Sequence, residues 1–367
     1  MKNVTLKDVA RMANVSPATV SYILNNARGH TISPKTQTRV REAARSLNYV
    51  PNSAAKRLKT GRSNCIAVRL ATTLAAPRYY MALQGIRSYL EPRGYNIILF
   101  NDQKTGNFSN YVDACLNTQA DGILYICSDY SDISEENLRI ITEHHIPLSV
   151  IDCMGGDPGV NSVTYDYFAS TCRRVEYMLE RGIRRLAYIT PDITNFKQAE
   201  RERGFLSLLE GNPEVTYEIV RTKDPGRPVT TIDSNSTSFN EVDMPSFYTA
   251  YRSEFVRDAI RTFPPGTGVL FSFTEDQELY TQHLYCRLLA GEDVPDNWYD
   301  CTVSFDYPHY NIGYEAARSL LQTIRGSGEV RKLIFQPQLK PTDPQNVFFN
   351  RIYNYIITPL GNEEEEL

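Results

Sequence analysis

The sequence predicts an α/β protein in two parts: a small all-helical module over the first 50 residues, then a two-lobed body of doubly wound parallel sheets. Three observations carry this. Within the first 50 residues two Ser-Pro pairs, Ser16-Pro17 and Ser33-Pro34, each lead an apolar stripe of helical spacing. Residues 1–62 hold 12 Lys and Arg against only Asp8 and Glu42, a formal +10; the whole chain is −4, so residues 63–367 carry −14. From Cys65 onward, short apolar runs alternate with helical stretches, the pattern of strands buried on both faces with helices between.

The module reads as three helices. Thr5 with Asp8 three residues on is a capping-box-like start, the Thr5 oxygen being able to accept from an orphan backbone N–H. Leu6, Val9 and Ala10 then recur at helical spacing, and Asn14-Val15 breaks the run. Ser16 caps a second helix over Pro17 to Asn25, with Pro at the first position, where its missing N–H is no loss. Val20 and Leu24 continue its stripe. Ser33-Pro34 opens a third helix with Val40, Ala44 and Leu47 apolar. Two short helices joined by a tight turn, plus a third, describe a helix-turn-helix, whose second helix would meet base edges in a major groove. A plain helical bundle would have the same stripes. The +10 charge on an otherwise acidic chain favours a phosphate-binding head.

Residues 51–58, PNSAAKRL, follow, with Asn52 able to cap a short helix. Eight residues do not hold a helix alone in water, so either a partner orders the segment or it is a plain linker. The polar, Gly-containing KTGRSN at 59–64 marks the boundary of the body, giving 1–50 as headpiece, 51–64 as hinge and linker, and 65–367 as body.

In the body, strands are expected at Ile66–Leu70, Ile97–Phe100, Gly122–Ile126, Leu148–Ile151, Leu186–Thr190, Thr216–Val220, Gly268–Phe273 and Cys301–Phe305. Helices are expected at Tyr79–Arg93, Tyr111–Gln119, Glu135–His144, Phe168–Arg181, Glu200–Leu209, Tyr248–Arg261 and Gln277–Leu289. In such folds ligands bind at the carboxyl ends of the strands. Residues 224–246 form a long Thr/Ser/Asn-rich stretch, residues 347–357 read as an extra strand or helix, and 363–366 are a short acidic run.

TLKDVARMANVSPATVS, followed by SPKTQTRVREAARSLNYVPNSAAKRLKTGRS, resembles the headpiece of lactose-repressor-type (LacI/GalR) transcription regulators over residues 4–63. The resemblance puts base contacts on Pro17, Ala18 and Tyr22 and phosphate contacts on Thr19 and Ser21. Thr5, Ser16, Asn25 and Asn52, at helix ends, complete the expected DNA-facing set. It also implies that 51–58 is a hinge helix that folds on operator DNA, with Ala55 and Leu58 matching the family's A-x-x-L pair and the leucine wedging a base step in the minor groove. In the body, RGIRRLAYIT, RERGF, VSFDY and FTEDQ resemble segments of the family's effector domain, which is similar to periplasmic sugar-binding proteins. Carried over residue by residue, effector-binding positions fall on Arg201, Asp306 and Asp276, with Glu275 in place of the usual Asn, and on Arg78 and Tyr79 in the first lobe. Asp152 closes an apolar strand at a cleft-facing position. Arginine offers a five-donor fork and carboxylates accept from paired hydroxyls, which suits a polyol; each residue could equally be a surface charge or part of a lobe-bridging ion pair.

The expected function is therefore a dimeric, DNA-binding transcription regulator, a repressor under a small-molecule effector, with a carbohydrate as the expected class. Its partners would be double-stranded operator DNA, the effector and a second copy of the chain. The alternative is a DNA-binding regulator with a degenerate cleft. An enzyme has no support: no catalytic triad spacing, no phosphate-cradling glycine loop and no metal-ligand cluster is visible, so no cofactor or metal is expected. No run approaches eighteen apolar residues and the N-terminus lacks an apolar signal region, which predicts a cytoplasmic protein with no membrane partner. The seven scattered cysteines are expected to be reduced.

Overall fold

The computed structural model describes residues 4–24, 31–49, 61–70, 77–101, 104–105, 108–126, 133–154, 156–157, 159–191, 195–222, 263–272, 277, 280–281, 284, 287–291 and 302–341. Asn25, the 51–58 segment with Asn52, Ala55 and Leu58, Asp276, the helix expected at 248–261, and the 224–246 and 347–367 stretches lie outside them. The chain forms two compact units, Met1–Ser63 and Asn64–Leu367.

The first unit contains α1 (Leu6–Met12), α2 (Pro17–Leu24) and α3 (Pro34–Ser46). Asn14 takes a left-handed φ of 48° in the α1–α2 turn, a conformation asparagine tolerates. Ser16 Oγ accepts the Thr19 backbone N–H at 3.1 Å, and Ser33 Oγ accepts that of Thr36 at 3.3 Å, so both Ser-Pro starts are capped. Val9, Ala10, Ala13, Val20, Ile23, Val40, Ala43 and Ala44 form a common core, with Leu6, Leu24 and Leu47 partly buried against it. Ile23 rather than Leu24 is the buried residue at the end of α2, because i, i+3 from Val20 faces α1 and α3 more directly than i, i+4.

The second unit opens with β1 (Cys65–Leu70), α4 (Pro77–Leu90), a 3-10 turn at Glu91–Arg93 and β2 (Asn96–Phe100). A short antiparallel pair follows, β3 (Lys104–Thr105) and β4 (Phe108–Ser109), leading into α5 (Asn110–Leu116). Then come β5 (Ile123–Ile126), α6 (Glu135–Glu143), β6 (Leu148–Ile151), β7 (Asn161–Tyr165), α7 (Tyr167–Glu180), β8 (Arg185–Pro191), α8 (Phe196–Ser207) and β9 (Thr216–Thr222). β10 (Gly268–Phe271), helical residues at 277, 280–281, 284 and 287–289, β11 (Ser304–Asp306), α9 (His309–Ile324), β12 (Lys332–Phe335) and β13 (Gln338–Lys340) complete it.

Six strands make one parallel sheet in the order β12-β7-β6-β5-β1-β2. A second parallel sheet runs β10-β8-β9, and β11 pairs antiparallel with β13. The large sheet is covered on one face by α4 and α9, through Ile86, Leu90, Ile312, Ala316 and Leu320, and on the other by α5 and α6, through Tyr111, Val112, Ile140 and Ile141. The second sheet has its own core around Val175, Met178, Leu186, Tyr188, Phe205 and Leu270. These are the two doubly wound parts that the alternating pattern predicts.

Six elements were not legible as such: β3, β4, β7, α9, β12 and β13. The expected strand at 301–305 shifts to Ser304–Asp306 and is antiparallel, and α9 starts three residues after it. α9 lies tight on α4. A Cβ on Gly85 would collide with the Tyr310 carbonyl oxygen, and one on Gly313 with that of Ala82, so glycine on both helices permits the close crossing. Cys153, buried just after β6, is disulfide-bonded, against the expectation of reduced thiols throughout. Scattered spacing does not exclude a bridge, since the fold alone decides which cysteines come within about 7 Å. Among the described residues no helix is long and apolar enough to cross a membrane.

Candidate functional site

Two sites emerge, one in each unit. In the first, α2 buries Val20 and Ile23 and turns Pro17 and Ala18 outward. Thr19, Ser21 and Tyr22 are half-buried on its flanks, while Thr5 and Ser16 are exposed at helix starts. The Thr5 backbone N–H and hydroxyl both donate to the Asp8 carboxylate, at 2.9 and 2.7 Å, which pins the start of α1. Neither α2 nor α3 has an acid in its first turn. The positive ends of both helices are thus left uncompensated, as an anion-binding surface requires. Lys7 on α1 and Lys35, Arg39, Arg41 and Arg45 along α3 supply cations, with Asp8 and Glu42 the acids of these three helices. This face offers small side chains where an edge must approach closely and cations where phosphates would lie.

The second site gathers at the carboxyl ends of the strands in the second unit. Asp152 directly follows β6 with a left-handed φ of 64°. Its carboxylate accepts from the Tyr167 hydroxyl in a short hydrogen bond and from Lys197 Nζ at 2.6 Å. Both ends of that ion pair are largely withdrawn from solvent, 13% exposed for Lys197 and 14% for Asp152. Burial pushes the Asp152 carboxyl up, but the Lys197 charge, hydrogen bonds from Lys197 and Tyr167, and the Arg78 charge together hold it below the usual carboxylate range. Burial, then the Asp152 charge, pushes the Tyr167 phenol well above its ordinary value, so it remains a donor.

Arg201 lies on α8, one turn beyond Lys197, and its guanidinium stands 4.2 Å from the centre of the Tyr167 ring. Burial lowers its basicity, but the neighbouring Tyr307, Tyr167 and Tyr188 and the Asp152 charge more than offset this. Tyr307 follows Asp306 and packs edge-on against Tyr165 with ring centres 5.0 Å apart, and Tyr165 shares a 2.6 Å hydrogen bond with His309 Nδ1. Asp306 is exposed at the end of β11 and, with Asp152, adds to the charge that keeps Tyr165 protonated, after burial itself. Arg78, in the first turn of α4, is close enough to act on both Asp152 and Tyr165.

Arg78, Asp152, Arg201 and Asp306 therefore surround one tyrosine cluster. Tyr79 adjoins them: it is 6% exposed, its hydroxyl accepts from Arg78 Nη2 at 3.2 Å, and it shares one buried core with Tyr165 and Tyr167. Asp276 lies outside the described residues. Sequence reasoning missed Tyr165, Tyr167, Lys197, Tyr307, His309 and Arg174. Lys197 was recoverable as the i−4 neighbour of Arg201 once α8 is started at Phe196, capped by Asn195, whose side chain accepts the Gln198 N–H at 2.9 Å.

Residues 5–52 match the family described as bacterial regulatory proteins, lacI family, and residues 67–231 match the periplasmic binding proteins and sugar binding domain of the LacI family. Curated relatives include the HTH-type transcriptional repressor PurR of Mannheimia succiniciproducens, 27% identical over 216 residues, and that of Serratia proteamaculans, 30% identical over 219. Each alignment covers 58% of this chain, and 63% and 62% of the relative, so the chain spans a little under two thirds of the relatives it matches. Among solved structures, the lac repressor bound to ONPG in the repressed state superposes with a TM-score of 0.65 at 19% identity, covering 92% of this chain and 98% of that one. The transcriptional regulator CelR in complex with cellobiose gives 0.55 at 20% identity, with the same coverage of both chains. These structural likenesses establish the fold.

Proposed function

Since this chain belongs to the lacI family of bacterial regulatory proteins, we propose that it is a sequence-specific DNA-binding transcription regulator, a repressor whose hold on its operator is set by a small-molecule effector. The observation that carries the reading is the headpiece: a capped second helix with a small-residue outer face, on a segment of formal charge +10. In this reading Pro17, Ala18 and Tyr22 meet base edges, and Thr19 and Ser21 meet phosphates. Thr5, Ser16, Asn25 and Asn52 fix the helix ends against the backbone. The hinge segment with Ala55 and Leu58 orders on the minor groove. Two copies of the chain read the two halves of a near-palindrome.

The effector would bind among Arg78, Tyr79, Asp152, Arg201, Asp306 and Asp276. Ligand binding there and DNA binding at the headpiece are linked through the dimer: whichever arrangement the effector prefers, it stabilises, and DNA affinity changes by the same coupling factor. The effector is expected to be a carbohydrate or a comparably small polar molecule. A regulator whose second site no longer takes a small molecule is the second reading, and one observation favours it: the Asp152 carboxylate is already satisfied by Lys197 and Tyr167.

Selection of duplexes from a random-sequence pool by the full chain tests the DNA reading. Enrichment of a palindromic site is expected; a selected pool no different from the input would overturn it.

A further inference from the structure

We propose that the second site takes a small polar ligand that itself carries negative charge, a carboxylate or a phosphate, in preference to a neutral polyol; the proposal rests on the small-molecule reading above. The reason is the way charge is paired. Lys197 is committed to Asp152 at 2.6 Å. Arg201 has no such partner: among the described residues its guanidinium meets a tyrosine face, and the Asp152 carboxylate, already paired with Lys197, acts on it through charge alone. A second guanidinium, that of Arg174 on α7, is 7% exposed. Its Nη1 donates to the Phe271 carbonyl at 3.0 Å, and its Nη2 to Gln277 Oε1 in a short hydrogen bond; both acceptors are neutral. Its Nε is buried without a partner.

The same region links the two arginines. Phe271 ends β10; Ser272, next in the chain, donates to the Tyr188 hydroxyl at 2.9 Å, and Tyr188 is a neighbour of Arg201. Burial, opposed by Tyr307 and Tyr188 but reinforced by the Arg201 charge, brings Arg174 down to about 10. The Arg201 charge thus adds to the cost of the Arg174 guanidinium, and among the described residues neither forms an ion pair with a carboxylate. The first turns of α4 and α8 add to the field: neither holds an acid, while they carry Arg78 and Lys197 at the positive helix ends. Asp306, the other acid of the described site, is exposed. A neutral hydroxyl would accept one hydrogen bond from Arg201 and leave the guanidinium without an ion-pair partner. An anionic group accepts from the planar fork with two oxygens and offsets the charge.

The test is calorimetric titration of the full chain with matched sets: glucose, glucuronate and glucose 6-phosphate, and adenosine with its 5′-monophosphate. A charged member is expected to bind at least about tenfold tighter than its neutral counterpart, the carboxylate and phosphate arms separating the two chemistries. Arg201→Gln should abolish that preference and Arg201→Lys retain part of it. Should Arg201→Gln fail to fold, as read by circular dichroism, the wild-type sets decide alone. Neutral members binding as tightly as their charged counterparts would overturn the proposal while leaving the small-molecule reading intact. No heat from any member at millimolar concentration would overturn that reading, and the proposal with it.

Discussion

Asp152 shows what a single residue contributes here. Its carboxylate is held between Lys197 and Tyr167, and removing Lys197 would leave a largely buried carboxylate without its ion-pair partner. Lys197→Met should therefore cost about 3–5 kcal/mol, the usual penalty for breaking a buried pair from one side, read as a lower midpoint in chemical denaturation of the second unit. The pH dependence has a definite sign. The folded carboxyl lies below its unfolded value of about 3.9, so its contribution to stability is fully present above that pH and is lost as pH falls through the folded value. Denaturation midpoints of the wild type should drop on acidification below pH ~4 more than those of Asp152→Asn, and parallel curves would contradict the assignment. Arg201→Ala should weaken effector binding by about 1.5–3 kcal/mol, the value of a hydrogen bond to a charged group. Unchanged affinity by calorimetry would remove Arg201 from the site.

At the scale of elements, short-range chemistry was legible and long-range chemistry was not. Ser16-Pro17 and Ser33-Pro34 announce their helices because a cap and a fixed φ act within four residues, and the structure has both caps. Ser16→Ala should cost about 1 kcal/mol through α2, seen as reduced headpiece helicity and stability by circular dichroism. Strands buried on both faces, such as Leu148–Ile151, were equally readable from apolar runs. β7 was not, because Asn161, Ser162 and Thr164 fill a wholly buried strand with polar side chains, and Asn161 is there to hold Thr323 at 3.0 Å and the Arg331 N–H at 2.9 Å across the fold. α9 was hidden by its own glycine and by the proline before it; only its contact with α4 shows why Gly313 is needed. Gly313→Ala gains helix propensity yet should destabilise by at least the ~1–3 kcal/mol typical of overpacking, because the obstructing atom is backbone. A raised melting temperature would contradict the crossing. The same divide runs through the candidate site: Arg201, Asp306, Arg78 and Asp152 were readable one by one, whereas the tyrosines that join them come from β7, α7 and the turn after β11 and meet only in the fold.

Over the whole molecule, charge is divided as sharply as structure. In the proposed reading, the +10 head would neutralise phosphates while the −14 remainder is repelled by them. Leu58→Ala belongs to this scale too, because it separates general from specific binding. The variant should keep salt-dependent affinity for random DNA and lose specific affinity and DNA bending, since the wedge opens a base step only at the operator. Equal bending by both proteins would reduce residues 51–58 to a linker. The most direct measurement of the central claim, that residues 1–62 are a DNA-binding head, is the affinity of the full chain for its selected duplex across a salt series. If the head neutralises about six to ten phosphates, log affinity should fall linearly with log salt, losing about 10³–10⁵ between roughly 50 and 200 mM. An affinity that stays level across that range would contradict the claim.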